Sequence, residues 1–519
     1  MTDSLASRLD RAIAALPNAY PGPGGTVAVV REGEIVARHA WGWANAERRI
    51  AFTPKTLFRM CSITKQFTCG VMLDAFPDPS VLDAAIAGRL PLLKQASPGA
   101  LHLAHNQSGL RDYWAVAMLH GSPAEAPFGD LEAERVIAGT RTLQFTPGTR
   151  NSYVNQNFRL LSDAAAEQAG VSFAELLRTR VFEPAGMETA ILAADTRALP
   201  DGCEGYEGNQ AAGFRAAENR IVWTGDAGLG ASLDDMIAWE RFIDATRDDA
   251  EGLYNRLSAP VSFADGTRAG YGFGLGRRSE FGRPITGHGG ALRGWRSHRL
   301  HSANDRLSVV VMFNHMGDAY GAAIDLFAAA LGEMRPKPAG DIAPPAWLGA
   351  YIEPETGLSA RIEAAGSGQV RLRYGQGAEV LDLQPDGSAG TDVRLRPERD
   401  GLWLDRPSEH HSSRLLPVGE KGDAPNPAGR YRCDELEADL TVVDAGGVLY
   451  GAFSGFLGQG RMELLDPIGP GVWALPCPRA LDHSPPGDWT LAFHAESGRV
   501  TSATVGCWLA RGLPYRRIG

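Results

Sequence analysis

The sequence predicts an α+β protein: a large first domain with an antiparallel sheet flanked by helices plus a helical region, followed by two small antiparallel β-barrel domains. Three observations predict it. Strand-like runs stand at both ends of about the first 330 residues, with helical patterns between them. A proline-rich segment interrupts the chain after that point. Beyond it, one short pattern occurs twice. We therefore expect domains at residues 1–333, 334–418 and 425–519.

Hydrophobic periodicity predicts the elements of the first domain. Residues 26–31 and 35–41 are strand-like and flank the turn pair Glu32-Gly33, which predicts an antiparallel hairpin. Residues 232–245 have helical spacing, with Ser232 as the predicted N-cap. Further strands are predicted at 271–276, 297–301 and 307–314, and a closing helix at 320–331. Strands from distant parts of the chain should thus share one sheet.

The repeated pattern predicts the last two domains. Gly349-Ala350-Tyr351 is followed by Glu355, and Gly429-Arg430-Tyr431 is followed by Glu435 about 80 residues later. Each copy follows proline and precedes alternating, strand-like sequence with a glycine-rich turn. A chance match is the alternative, but the matched internal spacing favours a duplicated β-domain.

Composition excludes several classes of function. The chain has 519 residues, of which 44% are hydrophobic and 22% charged, as in ordinary soluble proteins. Its net charge of −10 and the absence of a dense Lys/Arg tract argue against a nucleic-acid partner. No window reaches the roughly 18 apolar residues that cross a bilayer. Leu5, Leu9 and Ile13 recur at helical spacing, which predicts a surface helix instead of a signal peptide. We expect a cytoplasmic protein without a membrane partner.

The cysteines point neither to a disulfide framework nor to a metal. Six cysteines are scattered along the chain, and no CxxC pair suggests zinc. Buried thiols are the simplest interpretation. We expect no metal and no cofactor.

The first candidate for chemistry is Ser62-Ile63-Thr64-Lys65. Positions i and i+3 are neighbours on a helix, so the Lys65 amine should lie beside the Ser62 hydroxyl. Lysine, whose ordinary pKa is about 10.4, acts as a base only when it is neutral. An isolated Ser-x-x-Lys is common by chance, so its meaning depends on other residues further along the chain.

Two later segments strengthen the hypothesis that Ser62 and Lys65 are catalytic. Tyr153 follows a Pro-Gly turn and can relay a proton to a leaving amine, and Asn155 can orient Lys65 or the substrate amide. A packing tyrosine and a turn asparagine are the alternatives. His288 stands in a glycine-rich stretch, where backbone N–H groups can face an oxyanion. A structural histidine is the alternative there.

In this order, the three elements resemble those of the penicillin-recognising serine hydrolases, which comprise serine β-lactamases, D,D-carboxypeptidases and related esterases and D-aminopeptidases. The resemblance covers about residues 20–335 and implies a β-lactamase-like fold for the first domain. It implies that Ser62 is the acylated nucleophile, that Lys65 and Tyr153 transfer protons, and that Asn155 is a polar orienter. It also implies an oxyanion hole formed by the N–H groups of Ser62 and Ala291.

The third element departs from the family pattern. His288 occupies the first position of the family's Lys-Thr-Gly element. A lysine suits a substrate carboxylate, whereas a neutral imidazole tolerates a free ammonium group. The linker and the two β-domains are likewise similar to the D-aminopeptidase members of the family. For the substrate amine we predict Asp482 as the partner, and a solvated turn aspartate is the alternative.

The sequence therefore predicts a serine hydrolase that releases N-terminal D-residues, such as D-alanine, from small peptides or amides through an acyl-enzyme on Ser62. An esterase or β-lactamase-like hydrolase with the same residues is one alternative. A non-catalytic binding or sensor protein on that fold is another, since a fold alone does not fix function. The oligomeric state stays open, with a homodimer among the candidates.

Overall fold

The first domain is built on an eight-stranded antiparallel sheet. The structure, a computed structural model, describes residues 4–123, 125–335, 342–419, 424–477 and 487–519. From one edge of the sheet to the other, the strands are Ile50–Ala51, Glu34–Asn45, Gly24–Arg31, Leu307–Phe313, Trp295–Ser302, Arg283–Leu292, Leu275–Glu280 and Tyr271–Gly272. The beginning and the end of the domain thus meet in one sheet, as predicted.

The turn between the first two long strands explains why the predicted hairpin forms. Glu32 and Gly33 both adopt positive φ, 56° and 79°, as a two-residue turn that matches strand twist requires. Gly24–Arg31 then pairs with Leu307–Phe313 on its other side. The hairpin is confirmed.

Helices cover both faces of the sheet. In the central strand Leu307–Phe313, Val309 packs in a cluster with the helices Leu5–Ala19 and Ala319–Leu331. The next residue, Val310, belongs to the large cluster of the helical region on the opposite face. Because successive side chains alternate between faces, a strand buried on both sides is apolar throughout.

The helical region carries most of the remaining elements of this domain. The α-helices, including the two named above, are Leu5–Ala19, Thr64–Ala75, Asp83–Gly88, Ala100–Ala104, Tyr113–Leu119, Asp130–Ala138, Gln156–Ala169, Phe173–Leu177, Glu183–Ala185, Leu233–Ala245, Leu253–Ser258 and Ala319–Leu331. Cys61–Ile63 and Pro79–Leu82 are 3₁₀ turns, and Arg178–Phe182 is a π turn. Small sheets join Phe58–Arg59, Leu229–Ala231 and Ile191–Leu192, and Tyr206–Asn209 with Gly213–Ala216.

Two further antiparallel sheets come after the first domain. The middle sheet contains, in order, Ala378–Asp382, Gln369–Arg373, Ser359–Gly366, Gly349–Ile352, His411–Pro417, Gly401–Arg406 and Arg394–Glu398, and Pro407–Glu409 is a 3₁₀ turn. The last sheet contains Gly458–Gln459, Leu449–Gly455, Ala438–Asp444, Gly429–Cys433, Ala510–Arg517, Arg499–Cys507, Trp489–Glu496, Val472–Leu475 and Asp466–Gly469, with Glu463–Leu464 beside Leu449–Gly455. The α+β fold class with two antiparallel β-units at the end is confirmed.

The two later sheets correspond at the repeated pattern. In each, the strand carrying the Gly-x-Tyr pairs with the next strand and with the last strand of its own sheet. The Tyr351 hydroxyl donates to the Trp347 carbonyl at 2.6 Å, and the Tyr431 hydroxyl donates to the Pro427 carbonyl at 2.6 Å. This same bond to the residue four positions earlier supports a duplicated unit.

The repeated glutamates face the first domain. Glu355 is paired with Arg150, and Glu435 is 3.0 Å from the Arg111 guanidinium. Both later sheets therefore dock on the first domain through the same element of the repeat.

One strand prediction was wrong. Residues 271–276 form two strands, Tyr271–Gly272 and Leu275–Glu280, which pair with each other across Phe273 and Gly274. Both intervening residues have positive φ, 51° and 73°, so the chain reverses there. A β-carbon on Gly274 would lie 2.4 Å from the backbone of Lys65, so this reversal packs directly on the helix that carries the lysine.

Some classes of structure are not found in the described part of the chain. Every helix in the described ranges of the chain is too short or too polar to span a bilayer. No group of three or more His, Cys, Asp or Glu side chains within the same ranges is arranged to hold a metal ion. All six cysteines are buried.

Candidate active site

Ser62 lies in the 3₁₀ turn Cys61–Ile63, directly before the helix Thr64–Ala75. The turn is anchored on a neighbouring strand, because the Met60 N–H donates to the Leu229 carbonyl at 2.9 Å. Cys61 has a φ of 51°, a conformation that costs a non-glycine residue about 1–3 kcal/mol and persists only where its surroundings fix it. The strained, anchored turn holds the Ser62 hydroxyl at the start of the helix.

Lys65 is fully buried and its amine has three acceptors. Nζ lies 2.9 Å from Ser62 Oγ, 3.0 Å from Asn155 Oδ1 and 2.7 Å from the Asp226 carbonyl. The last two oxygens can only accept hydrogen bonds. A neutral amine would give its two protons to them, and its lone pair would then face the Ser62 hydroxyl. The geometry is suited to a lysine that takes the proton of Ser62.

Asn155 is held in this orientation by a buried carboxylate, Asp112. Asp112 Oδ1 accepts from the Asn155 backbone N–H at 2.6 Å and from its side-chain Nδ2 at 3.0 Å. The amide oxygen of Asn155 is therefore the atom turned towards Lys65. Burial raises the pKa of Asp112 to about 6, although the hydrogen bonds from Asn155 and the charge of Lys65 oppose the shift.

Asp226 supports the lysine from the other side. Its carbonyl accepts from Lys65, and its side-chain Oδ2 accepts from the Tyr113 hydroxyl at 2.6 Å. Oδ1 accepts from the Thr224 N–H at 2.9 Å. Two buried aspartates, Asp112 and Asp226, thus fix two of the three groups that lie within hydrogen-bond distance of the lysine amine.

Tyr153 lies over the same amine. The centre of its ring is 5.0 Å from Lys65 Nζ, within the range of a cation–π contact. The backbone N–H groups on either side of it, from Ser152 and Val154, both donate to Asn106, at 2.9 and 3.2 Å. Asn106 has a φ of 54°, and in this conformation both its carbonyl and its side-chain Oδ1 face the segment that carries Tyr153.

His288 is partly buried on the strand Arg283–Leu292, with its ring 5.9 Å from the ring of Tyr153. Its Nδ1 lies 2.6 Å from the Gly289 carbonyl, which can only accept, so Nδ1 carries the proton. Nε2 then accepts from the Tyr271 hydroxyl at 3.1 Å. Burial, and next the charge of Lys65, lower the pKa of His288 to about 3. The imidazole is therefore neutral at neutral pH.

The strand that carries His288 also offers a free edge beside Ser62. It pairs with Leu275–Glu280 only up to Gly287, whereas its pairing with Trp295–Ser302 continues to Leu292. A β-carbon on Gly290 would lie 2.1 Å from the Met60 carbonyl, so glycine is needed for the strand to approach the Ser62 turn. Ala291, the predicted oxyanion residue, is the next residue along this edge.

A cleft of about 1320 Å³ reaches the site from the side of His288. Tyr271 and His288 line it, together with Thr391 and Ser408 from the middle sheet. Ser62 and Lys65 are not among its lining residues, so the cleft adjoins the reacting groups and does not contain them.

The structure brings Ser62, Lys65, Asn155, Tyr153 and His288 together, and Ala291 lies on the adjoining strand edge. Asp482 lies outside the described residues. Sequence reasoning missed Asp112, Asp226, Asn106 and Tyr271. For Asp112 a signal existed, because an aspartate directly before the helix Tyr113–Leu119 is an N-cap, and it does accept from the Trp114 N–H at 3.1 Å. Nothing in the local pattern around Asp226 indicated its role.

Comparisons with known proteins agree with this geometry. The family model described as "Beta-lactamase" matches residues 9–333, and the one described as "D-aminopeptidase, domain B" matches residues 342–516. A D-aminopeptidase from Gluconobacter oxydans (strain 621H) is 60% identical, with 100% of each chain covered. A D-aminopeptidase from Brucella canis is 49% identical, with 98% of each chain covered.

Solved structures show the same fold at low identity. The octameric penicillin-binding protein homologue from Pyrococcus abyssi has a TM-score of 0.54 at 18% identity and covers 88% of this chain and 99% of its own. The D-amino acid amidase from Ochrobactrum anthropi SV3 has a TM-score of 0.51 at 19% identity and covers 64% and 99%. These structures show the fold. The full-length relatives and the two family models show that the chain belongs to the D-aminopeptidase family, whose first domain is β-lactamase-like.

Proposed function

We propose that this protein is a D-stereospecific aminopeptidase that releases N-terminal D-residues from peptides and amides through an acyl-enzyme on Ser62. The observation that carries the proposal is the position of the His288 imidazole beside the reacting groups, where Tyr271 and the Gly289 carbonyl hold it and burial lowers its pKa. A neutral group there accepts a substrate with a free ammonium group, which a lysine would repel. The D-preference is supported by the full-length relatives, which are D-aminopeptidases.

In the proposed mechanism, Lys65 takes the proton of Ser62 as Oγ attacks the carbonyl carbon of the first residue. The C–N bond then breaks, the leaving amine receives a proton from the Tyr153 hydroxyl, and Tyr153 regains one from Lys65. Water attacks the acyl-enzyme in the reverse sense, which frees the D-amino acid and restores Ser62. The N–H groups of Ser62 and Ala291 are the proposed donors to the oxyanion.

The substrate ammonium group needs a carboxylate, and we propose Asp482 for this role. The proposal rests on the sequence alone, in which Asp482 stands in the proline-rich segment 477–486 of the last β-domain. The neutral His288 supplies no charge for this purpose, so recognition of the amine must come from a separate group.

Turnover of four substrates tests the function: D-alaninamide, its N-acetylated form, a short ester without an amine, and a penicillin. We expect turnover of D-alaninamide and a loss of at least about 100-fold in kcat/KM on acetylation, because the carboxylate that binds the ammonium group would be left without its partner. L-Alaninamide is the matched control for stereochemistry.

The other outcomes identify the alternatives. Preferred turnover of the ester or the penicillin, with no dependence on the amine, would identify an esterase or a β-lactamase-like hydrolase. Labelling of Ser62 by the penicillin without turnover of any substrate would identify a binding or sensor protein.

Replacing His288 with lysine should lower kcat/KM for D-alaninamide by at least about tenfold, because a like charge would face the substrate ammonium group. His288→Gln is the matched control, since glutamine is neutral, and it should retain more activity than the lysine variant. Steady-state kinetics on both variants check this. Equal kcat/KM values for the lysine and glutamine variants would show that charge at this position does not select the substrate.

A further inference from the structure

The last sheet touches the first domain next to the catalytic residues through one turn. The strands Arg499–Cys507 and Ala510–Arg517 are joined by Trp508 and Leu509, which are 5% and 2% exposed. We refer to residues 507–511 as the 507–511 turn. The Leu509 carbonyl accepts a hydrogen bond from the backbone N–H of Asp112 at 3.0 Å.

Neighbouring bonds fix this contact on both sides. The Arg511 carbonyl accepts from Arg111 Nε at 3.1 Å, and the Arg511 N–H donates to Gln144 Oε1 at 3.3 Å. Arg111 is itself paired with Glu435 of the last sheet at 3.0 Å. The segment that contains Asp112 is thus held by the last sheet through backbone and side-chain groups.

From Asp112 the contacts continue to the lysine. Asp112 Oδ1 accepts from Asn155, and Asn155 Oδ1 accepts from Lys65 Nζ. Two residues, Asp112 and Asn155, therefore connect the Leu509 carbonyl to the Lys65 amine. Tyr153 also packs against the hydrophobic cluster that contains Trp508 and Leu509.

The side chain of Arg511 keeps the turn in shape. Its guanidinium carbon lies 3.6 Å from the centre of the Trp508 ring, and its Nε donates to the Trp508 carbonyl at 2.9 Å. Arg511 is 5% exposed, and the Arg406 guanidinium lies 5.0 Å from the Trp508 ring. The Arg511 side chain holds the turn by packing on the Trp508 ring and by donating to the Trp508 carbonyl. Replacing this side chain should therefore make the position of Leu509 less fixed, without removing a group near the substrate.

We infer that the 507–511 turn of the last sheet is a positioning element for the Lys65 amine, acting through Asp112 and Asn155. The inference rests on the proposed roles of Ser62 and Lys65. It assigns the last β-domain a part in the chemical step that is separate from any contact with the substrate amine.

Arg511→Gln in the full-length protein tests this. We expect kcat to fall about 10- to 100-fold, since displacement of a catalytic group by about 1 Å has an effect of this size. KM should change less than about twofold, because the groups on the His288 side are untouched. Activities are normalised to active sites by mass spectrometry of acylated Ser62, and folding is followed by circular dichroism.

The control is Glu437→Gln, which removes an exposed 2.9 Å ion pair with Arg141 between the same two parts of the molecule. It should leave kcat and KM unchanged. Arg511→Lys is the second variant, which keeps the charge over Trp508 and loses the Nε donor, and its kcat should fall between wild type and Arg511→Gln. If Arg511 contributes only to stability, its variants should have a lower melting temperature and an unchanged kcat per active site.

Wild-type kcat in folded Arg511→Gln would overturn the inference. If that variant does not fold, wild-type kcat in Arg511→Lys would overturn it equally. The ratio of the variant kcat to the wild-type kcat is measured on whichever of the four substrates the wild type turns over. Failure of the aminopeptidase proposal, seen as no turnover of D-alaninamide by the wild type, is thereby separate from failure of this inference.

Discussion

Replacing Ser62 with alanine should lower kcat by at least about 10⁴-fold, the scale on which serine hydrolases lose activity when the nucleophile is removed. The Ser62 hydroxyl is the oxygen that faces Lys65 Nζ at 2.9 Å, and the alanine methyl group can form no acyl bond. Because the turn is anchored through Met60, the variant should fold normally. Turnover of D-alaninamide at saturating concentration is the measurement.

Mass spectrometry supplies the control for this variant. Wild-type protein incubated with a slowly hydrolysed ester should gain the mass of the acyl group on the peptide that contains Ser62, and the alanine variant should gain none. Binding of D-alaninamide, followed by calorimetry, should stay within a few-fold of wild type. Turnover within tenfold of wild type would rule out Ser62 as the nucleophile.

Local spacing predicted the pair at the centre of the site. Ser62 and Lys65 are three residues apart, and helix geometry alone brings such side chains together. The structure puts Ser62 in a 3₁₀ turn instead of the α-helix, yet the distance between the two groups remains that of a hydrogen bond. Such a contact can be predicted because it depends on few residues.

The groups that orient the lysine could not be predicted in this way. Asp112 lies 43 residues from Asn155 in sequence, and Asp226 lies 161 residues from Lys65. No periodicity relates these positions, since the tertiary fold alone brings them together. The same holds for the contact of Leu509 with Asp112, which depends on how the last sheet docks.

The charge of His288 likewise needed the structure. The sequence shows only that a histidine replaces a lysine, and an exposed histidine titrates near neutral pH. Burial and the nearby Lys65 are what keep the ring neutral, and the Gly289 carbonyl sets its tautomer by accepting from Nδ1. Tyr271 was predicted merely as the start of a strand, because the reversal at Phe273 requires a positive φ at a residue that rarely adopts it.

The repeat shows the opposite case, in which a weak pattern had structural meaning. Its glutamates, Glu355 and Glu435, stood out only by equal spacing from the Gly-x-Tyr. In the structure each pairs with an arginine of the first domain, Arg150 or Arg111. Both copies therefore use the same position of the repeat to contact the first domain.

Replacing Lys65 with methionine should lower kcat by about 10²–10⁴-fold, the range expected for loss of a general base. Methionine fills a similar buried volume without the amine. Asn155 Oδ1 and the Asp226 carbonyl then lose their donor, at a cost of about 1–3 kcal/mol for a buried unpaired acceptor. Part of this cost is offset because the polar amine no longer has to be desolvated. Activity should therefore fall far more than the melting temperature.

Lys65→Arg distinguishes a base from a fixed positive charge. A guanidinium group keeps its proton at every pH of interest, so it can stabilise negative charge but cannot take the proton of Ser62. If the neutral amine is the base, the arginine variant should lose about as much kcat as the methionine variant. Retention of more than about a tenth of wild-type kcat by the arginine variant, with Lys65→Met inactive, would show that Lys65 acts through its charge. The proton of Ser62 would then have to pass to Tyr153, whose ring lies over the same amine.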